Sequence, residues 1–489
     1  MSALAVLPLL ACALVILVAR RSAAVGAGAG LMVALALIGW QDGFTLSSEG
    51  VVAALLDTII LTLSAAMVIL PGLYFNALLR GRGIVDTIQQ WVERLPYSRE
   101  HKTLLLLFGL VPAVESLTGF GVSLFLSIPI LFHLFSAPAA YRLSMLGMNI
   151  MPWGTLALAT VVGATLSGLP VATLGWYSAL TSALVFPLLS LVALQVIGGA
   201  AAVRSSLPAA LSLSFGLSGV LLLFNWLQLT EIAGVLSGMV VCLVGALLLP
   251  KYIEVTEPQE HRRALRAFLP YGAVLLLIVL ERFVPGAYAL LSEAWVLSGS
   301  EVSLKVLTSP GMALLVVAVL LFLSRPIALP HKTLLTRAWT ACLSLFAFIA
   351  LAQVMRQSGM VDAFASALGQ WNGELLMLFS PLIGMASGFI TGSNLSGNAL
   401  MMAVQSGIGA HLGSAASFAA AQNSGAGHAV FTSIPIIVLV LTIAKDVTSQ
   451  EEGEEPIKEH HLLKYGLRVA LVLLPAMTLA TWVVYRFAG

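Results

Sequence analysis

The chain has 489 residues, 59% of them hydrophobic and only 9% charged, with a formal net charge of +2 at neutral pH. A soluble domain carries about 25% charged residues, so a water-facing surface cannot be built from this composition and lipid must be the main solvent. The small net charge, with no basic cluster interleaved with aromatics, argues against a nucleic-acid partner.

At about 20 residues per span, this length allows about 12 to 14 membrane segments. Residues 3–19 form a first apolar run. Arg20 and Arg21 follow it rather than precede it, the reverse of a secretory signal, so the run is expected to be a retained helix and Cys12 no lipid-attachment site. Cys12, Cys242 and Cys342 all lie in apolar stretches with no second Cys or His at ligand spacing. They read as small hydrophobes, and neither metal nor cofactor is expected. Further spans are predicted near 23–40, 51–79, 140–165, 172–197, 207–225, 230–249, 268–284, 306–324, 333–356, 412–444 and 465–486. Two more apolar stretches, about 102–134 and 374–407, are broken midway by polar, glycine-rich sequence. Each is a broken span or a re-entrant hairpin of two half-helices. The amphipathic pieces 84–98 and 360–372 just before them suit the membrane surface.

Loop charge chooses between these readings. Basic residues follow the first, third, fifth, seventh and ninth runs, with Arg80, Arg82, Lys251, Arg262, Arg263, Arg325 and Arg337 among them. The positive-inside rule can put all these loops in the cytoplasm if both interrupted stretches are re-entrant; were the first to span, the clusters at 251–266 and 325–337 would land outside. The predicted fold is therefore an all-α polytopic membrane protein of about twelve transmembrane helices and two re-entrant hairpins, with both termini outside. A multi-pass place in a bacterial inner (plasma) membrane is expected, with homo-oligomerisation left open.

The halves of the chain resemble each other. Leu117-Thr-Gly-Phe-Gly-Val-Ser123 aligns with Ile390-Thr-Gly-Ser-Asn-Leu-Ser396. Upstream, Arg80–Asp86 aligns with Arg356–Asp362, and downstream Met148-Asn149 aligns with Gln422-Asn423, all at nearly constant separation. In the topology above Arg80 is inside and Arg356 outside, so the repeat is inverted. The division expected is a first repeat over 1–200, linking helices and a cytoplasmic loop over 201–267, and a second repeat over 268–489. Inverted repeats meeting around half-helices are a recurring design for secondary transporters, with the site at the midplane.

The chemistry concentrates at the interruptions. Gly119 and Gly121 let the first tip turn sharply, and the returning half-helix should start near Val122 or Ser123 with its N–H groups facing an anion. Ser393, Asn394, Ser396 and Asn398 repeat this at the second tip. Ser123 and Ser396 either cap helix ends or touch the ligand, whereas Asn394 and Asn398 are assigned to ligand or ion contact. Glu115 is a carboxyl at membrane depth, which is costly and usually functional. It is the candidate proton carrier, against the alternative of a carboxylate pinned by backbone N–H groups. The following helices are also interrupted, at Asn149–Gly154 with Pro152 and at Gln422–His428. Asn149 and Asn423 are candidate cavity liners and His428 a candidate proton relay. Asp57 and Glu231 are expected to snorkel from span ends, and Arg356, His133 and His411 to be superficial.

These residues carry a resemblance. Glu115-Ser-Leu-Thr-Gly-Phe-Gly121, Asn149-Ile-Met-Pro-Trp-Gly154, Thr391-Gly-Ser-Asn-Leu-Ser-Gly-Asn-Ala399 and Gln422-Asn-Ser-Gly-Ala-Gly427 resemble the lactate permease family, in order and spacing, over roughly residues 50–445. The resemblance implies a secondary carrier of short 2-hydroxy monocarboxylates such as lactate or glycolate, driven by proton symport. The alternative is a sodium-coupled carrier of another organic anion, a dicarboxylate or sulfonate. The sequence lacks a His-Glu-x-x-His zinc motif, a nucleophile elbow and a phosphate-binding loop, so neither an enzyme nor a primary pump is expected.

Overall fold

Hydrocarbon offers a peptide group no hydrogen-bond partner, so a chain this apolar must satisfy its backbone within each segment, and it is almost wholly helical. The computed structural model describes residues 4–41, 43–119, 121–150, 153–250, 258–448 and 457–488. Phe120, Pro152 and Lys251, used in the sequence reading, lie outside the described residues.

In chain order the helices begin with α1 (Leu7–Leu17), α2 (Ala23–Trp40), α3 (Ser48–Gly81) and the amphipathic α4 (Ile84–Glu93). Next, α5 (Arg99–Leu105) passes through a π-helical turn, Leu106–Leu110, into α6 (Val111–Thr118), and α7 (Val122–Leu134) returns. Then come α8 (Ala137–Asn149), α9 (Leu158–Ser167), α10 (Val171–Ser182), α11 (Val185–Trp226), α12 (Thr230–Leu248), α13 (Pro258–Phe283) and α14 (Ala287–Ala294). A small antiparallel hairpin, β1 (Val296–Ser298) and β2 (Ser303–Lys305), pairs Val296 with Lys305. The chain finishes with α15 (Pro310–Ser324), α16 (His331–Gln357), α17 (Met360–Gly369), α18 (Gly373–Thr391), α19 (Asn394–His411), α20 (Ala415–Ala429), α21 (Ile434–Thr448) and α22 (Glu459–Ala488). The series α3 to α8 thus recurs as α16 to α20: a long helix, a short amphipathic one, a helix-turn-helix unit and a further helix. The expected interruption at Gln422–His428 is not there, because α20 stays helical through Ala429 and the chain bends only beyond it, whereas α8 does end at Asn149.

Among the described residues, eight helices are long and apolar enough to cross a membrane, and up to ten if each of two bent pairs counts as one. That is fewer than the twelve spans expected from apolar runs, because length in sequence is not length in one helix. The run 140–165 is two helices, α8 and α9, separated by an unwound stretch. The run 412–444 is α20 and α21, bent by 43°. The run 172–197 is α10 plus the start of α11, and α9 and α10 turn by 116°. The first apolar run yields only the 11-residue α1 and the 15-residue α15 is likewise short. Each of the two interrupted stretches folds as a helix-turn-helix unit, α6–α7 and α18–α19, and α18 is itself one of the eight helices long enough to span. The expected boundary at 200/201 falls just after a kink in α11 at Gly198 and Gly199, and that at 267/268 falls inside α13.

Lipid removes the hydrophobic drive between helices, so close backbone approach and interhelical hydrogen bonds must hold the bundle. Glycines supply the approach. A Cβ on Gly425 of α20 would stand 2.7 Å from the Pro381 carbonyl oxygen of α18, and one on Gly388 of α18 would strike the backbone of Ala426. Gly238 of α12 presses in the same way on Gly109 and Ala113, where the π-helical turn meets α6. By contrast, Gly28 of α2 faces open space. Overpacking a close contact costs about 1–3 kcal/mol. Gly388→Val should therefore lower the thermal midpoint of the purified protein by several degrees and Gly28→Val should not. Equal midpoints for the two variants would show that the α18–α20 crossing is not tight.

Candidate functional site

The first tip is shaped by two glycines and one carboxylate. Gly119 and Gly121 have φ of +67° and +73°, a region costly for any side chain. Between them the chain reverses from α6 into α7. Glu115, on the last turn of α6, points into this reversal and is 1% exposed. Its Oε1 accepts the Gly121 N–H at 2.7 Å and its Oε2 the Ser123 N–H at 2.9 Å. The first N–H groups of α7 are thus taken by the protein's own anion rather than left for another. Ser123 does not cap the helix. Its hydroxyl is buried and has no partner among the described residues, as is also true of Ser116. Asn76 of α3 ties down the same tip, donating to the Thr118 carbonyl at 3.3 Å.

The second tip contains no carboxylate. Gly392, φ +71°, ends α18, and Ser393 is the N-cap of α19 without a side-chain cap bond. Ser396, one turn into α19, is buried. Asn394 and Asn398 face α20, where Asn423 Oδ1 accepts from both, at 3.4 and 2.8 Å. Asn423 Nδ2 in turn donates to Thr160 of α9 at 3.0 Å and Ser178 of α10 at 2.9 Å, and Asn398 also donates to the Ala159 carbonyl at 2.9 Å. One buried amide therefore joins four helices. The Oδ1 atoms of Asn394 and Asn398 are left buried and unpartnered among the described residues. Asn423 was expected from its place in the repeat. Thr160 and Ser178 were not, because single small hydroxyls in apolar helices carry no pattern.

Between the tips lies backbone that is not helical. After α8 the chain adopts positive φ at Trp153 (54°), Gly154 (82°), Leu156 (47°) and Ala157 (50°). Such non-glycine residues cost of order 1–3 kcal/mol each and persist only where surroundings over-determine them. Here the surroundings include the first tip and α12. Gly119 lies directly against Thr155 of this stretch. On the other side, a Cβ on Gly427 would be 3.1 Å from Asn394 Nδ2 and 4.0 Å from Trp153 Cδ1. The start of α21 touches both tips as well, Leu439 beside Gly121 and Pro435 beside Gly392. Positions four apart share a helix face, so the two glycine turns sit side by side.

A second polar link closes the site from below. His428 Nδ1 faces the Asn149 carbonyl at 3.2 Å and its Oδ1 at 2.9 Å, while Nε2 meets the Ser182 hydroxyl at 3.0 Å. Two oxygens on Nδ1 require the proton there, leaving Nε2 to accept from Ser182. Asn149 Nδ2 returns a bond to the His428 carbonyl at 2.8 Å. Asn149 and His428 thus pin α8 and α20, the matching helices of the two halves, to each other. Glu115 and His428 share no hydrogen-bond partner.

Other charges depart from expectation in part. Asp57 does not snorkel: it is fully buried and accepts the Ser300 and Glu301 N–H groups at 2.6 and 3.1 Å, holding the turn of the β-hairpin against α3. Glu231 pairs with Arg282 at 2.6 Å, and Arg356 pairs with Glu301. His133 and His411 are exposed, as read from sequence. Among the described residues no three His, Cys, Asp or Glu side chains stand together as metal ligands would.

The comparisons with known proteins bear on this geometry. The family model of L-lactate permease matches residues 290–486, a range that holds the second tip and Asn423. An L-lactate permease of Streptococcus iniae is 23% identical over 433 residues, covering 82% of this chain and 89% of that protein. Among solved structures, the Alcanivorax borkumensis YdaH transporter, whose crystal structure is described as revealing an unusual topology, matches with a TM-score of 0.52 at 14% identity, over 95% of this chain and 98% of that one. At that identity the likeness is of fold alone. Both sequence matches are thus to L-lactate permeases, and the chain is similar to that family.

Truncating the hub tests the network. Asn423→Ala takes the acceptor from the buried Nδ2 groups of Asn394 and Asn398 and the donor from the Thr160 and Ser178 hydroxyls, and a buried polar group left unpaired costs about 1–3 kcal/mol. The variant's thermal midpoint should fall well below that of Ser178→Ala. A smaller or equal loss would show that Asn423 does not hold the four helices together.

Proposed function

We propose that this chain is a secondary carrier of short 2-hydroxy monocarboxylates such as lactate or glycolate, moving one proton with each anion. The observation that carries this is the convergence of two helix-turn-helix tips on one unwound, strained segment, with unpartnered hydroxyls and amide oxygens around it. A carboxylate needs donors, and Ser123 at the first tip and Ser393 and Ser396 at the second carry hydroxyls. A 2-hydroxyl needs an acceptor, and the free Oδ1 atoms of Asn394 and Asn398 provide one. The name of the Streptococcus iniae relative points to the same substrate class.

Glu115 supplies the coupling in this reading. As a carboxylate it occupies the Gly121 and Ser123 N–H groups and repels a second anion. A proton on either oxygen removes the charge, takes away one acceptor and frees an N–H at the start of α7. The substrate carboxylate then gains a donor at the moment the repulsion disappears, so proton and anion enter as a neutral pair. His428, bonded to Asn149 and Ser182, is the second station on the proton's path. We read α6–α7 and α18–α19 as re-entrant hairpins of oppositely oriented repeats, whose rocking exposes the site to each side in turn.

The test is uptake of labelled lactate and glycolate into proteoliposomes with an imposed pH gradient. Wild type should accumulate one of them when the interior is alkaline and show no dependence on a sodium gradient. Glu115→Gln should lose pH-driven accumulation by at least tenfold yet still bind substrate. Gradient-independent uptake in wild type would remove the symport reading, and intact accumulation in the variant would remove Glu115 from it.

A further inference from the structure

Away from the tips, at the outer edge of the bundle, α22 presents His461, Lys464 and Arg468 at helical spacing to Arg142 near the start of α8. They ring a cavity of about 540 Å³. Among the described residues no carboxylate pairs with Arg142, Lys464 or Arg468, although the bundle neutralises Arg282, Arg356 and Arg486 with glutamates. The Arg142 guanidinium lies 5.7 Å from the Tyr465 ring centroid, and the Tyr465 hydroxyl is buried without a partner. Three exposed cations and an unused phenol donor thus converge on one space. Its other wall is apolar: Val192 of α11 with Val469 and Val472 of α22, and Val472 is 49% exposed on the face that meets hydrocarbon.

The geometry points to a binding site for the phosphate headgroup of an anionic phospholipid, with its acyl chain lying along the valine flank. A phosphodiester accepts from several donors at once, and basic recesses between helices at a membrane surface are suited to it. A free inorganic phosphate would satisfy the cations but leave the valine wall uncovered, and a short carboxylate would do no better. The site is distinct from the one between the tips and does not rest on the substrate assigned there. Its position gives it leverage on that region: Arg142 is two helical turns before Asn149 on α8, and Gly466, next to Tyr465, packs on Thr432 just beyond α20. A lipid bridging α8 and α22 would brace the end of the bundle that holds the Asn149–His428 link.

Native mass spectrometry of the delipidated full-length protein tests this, with phosphatidylglycerol, phosphatidylcholine and inorganic phosphate titrated separately. Phosphatidylglycerol should bind at least tenfold more tightly than phosphatidylcholine, and millimolar phosphate should displace it only weakly. Removing each cation, by Arg142→Ala, Lys464→Ala or Arg468→Ala, should weaken binding about fivefold. Tyr465→Phe should weaken it by a smaller factor, and Arg337→Ala, an exposed cation on α16, should leave it unchanged. The thermal midpoints of these variants in phosphatidylcholine should match wild type, which separates lost binding from lost folding. Equal affinity for the two lipids, or no effect of the pocket variants, would overturn the site. Displacement by phosphate at the same concentration as lipid would make it a free-anion site and overturn the lipid assignment. Binding that emerges only after Glu451, Glu452, Glu454 and Glu455 are changed to glutamine would show that the chain's own acidic run takes the place of lipid, and would overturn it too.

Discussion

Everything distinctive in this molecule follows from breaking helices where no water can repair the break. A helix that starts inside a bilayer exposes several N–H groups, and each one left unpaired costs several kcal/mol. At α7 the chain meets that demand with a carboxylate, Glu115, brought across the turn to accept two of the N–H groups. The start of α19 has neither a carboxylate nor a side-chain cap; its amides instead tie the helix to its neighbours, with Asn423 linking Asn394 and Asn398 to α9 and α10. The unwound, strained residues 153–157 are held against the first tip and α12.

The same constraint explains the distribution of glycine. Helices in lipid are held by proximity, and tight crossings here include elements that carry the tips, α18 against α20 through Gly388 and Gly425 and α6 with its π-helical turn against α12 through Gly109 and Gly238, as well as α15 against α3 through Gly311. The π-helical turn lies beside Pro112, which has no N–H to donate, so a locally wider turn relieves a helix that could not have been regular. Rigid crossings around strained, unwound backbone give a frame in which small shifts at the tips have somewhere definite to go.

Much of this was legible in sequence because the relevant residues break a strong background. Against apolar runs, Gly119–Gly121 and Gly392–Asn398 stand out; α7 begins where the first ends and α19 begins within the second, at Asn394. The amphipathic α4 and α17 and the long α3 and α16 are equally plain. What stayed hidden has a physical reason in each case. Hydropathy measures solvent preference and not continuity, so it merged α8 with α9 and α20 with α21. Its division after residue 197 does meet a real break, the kink of α11 at Gly198 and Gly199. A carboxylate near a span end has many partners open to it, so nothing local to Asp57 announced a turn more than 240 residues away that it would hold. Thr160, Ser178 and Ser182 are ordinary helix residues until tertiary contact places them beside Asn423 and His428.

The two tips are alike in backbone and unlike in charge, and that asymmetry is the structure's clearest chemical statement. Had both half-helices carried a glutamate, the midplane would hold two anions, and a third would be strongly disfavoured. Had neither, the exposed helix ends would attract anions at all times, with no reason to wait for a proton. One fixed carboxylate at one tip and neutral amides at the other leave a region whose charge changes with a single protonation. In the proposed cycle the positive end of α7 would serve either the resident carboxylate or a visiting one, but not both fully. Coupling in such an arrangement needs no long pathway between remote sites, because the group that would take the proton and the N–H groups that would take the substrate are already bonded to each other.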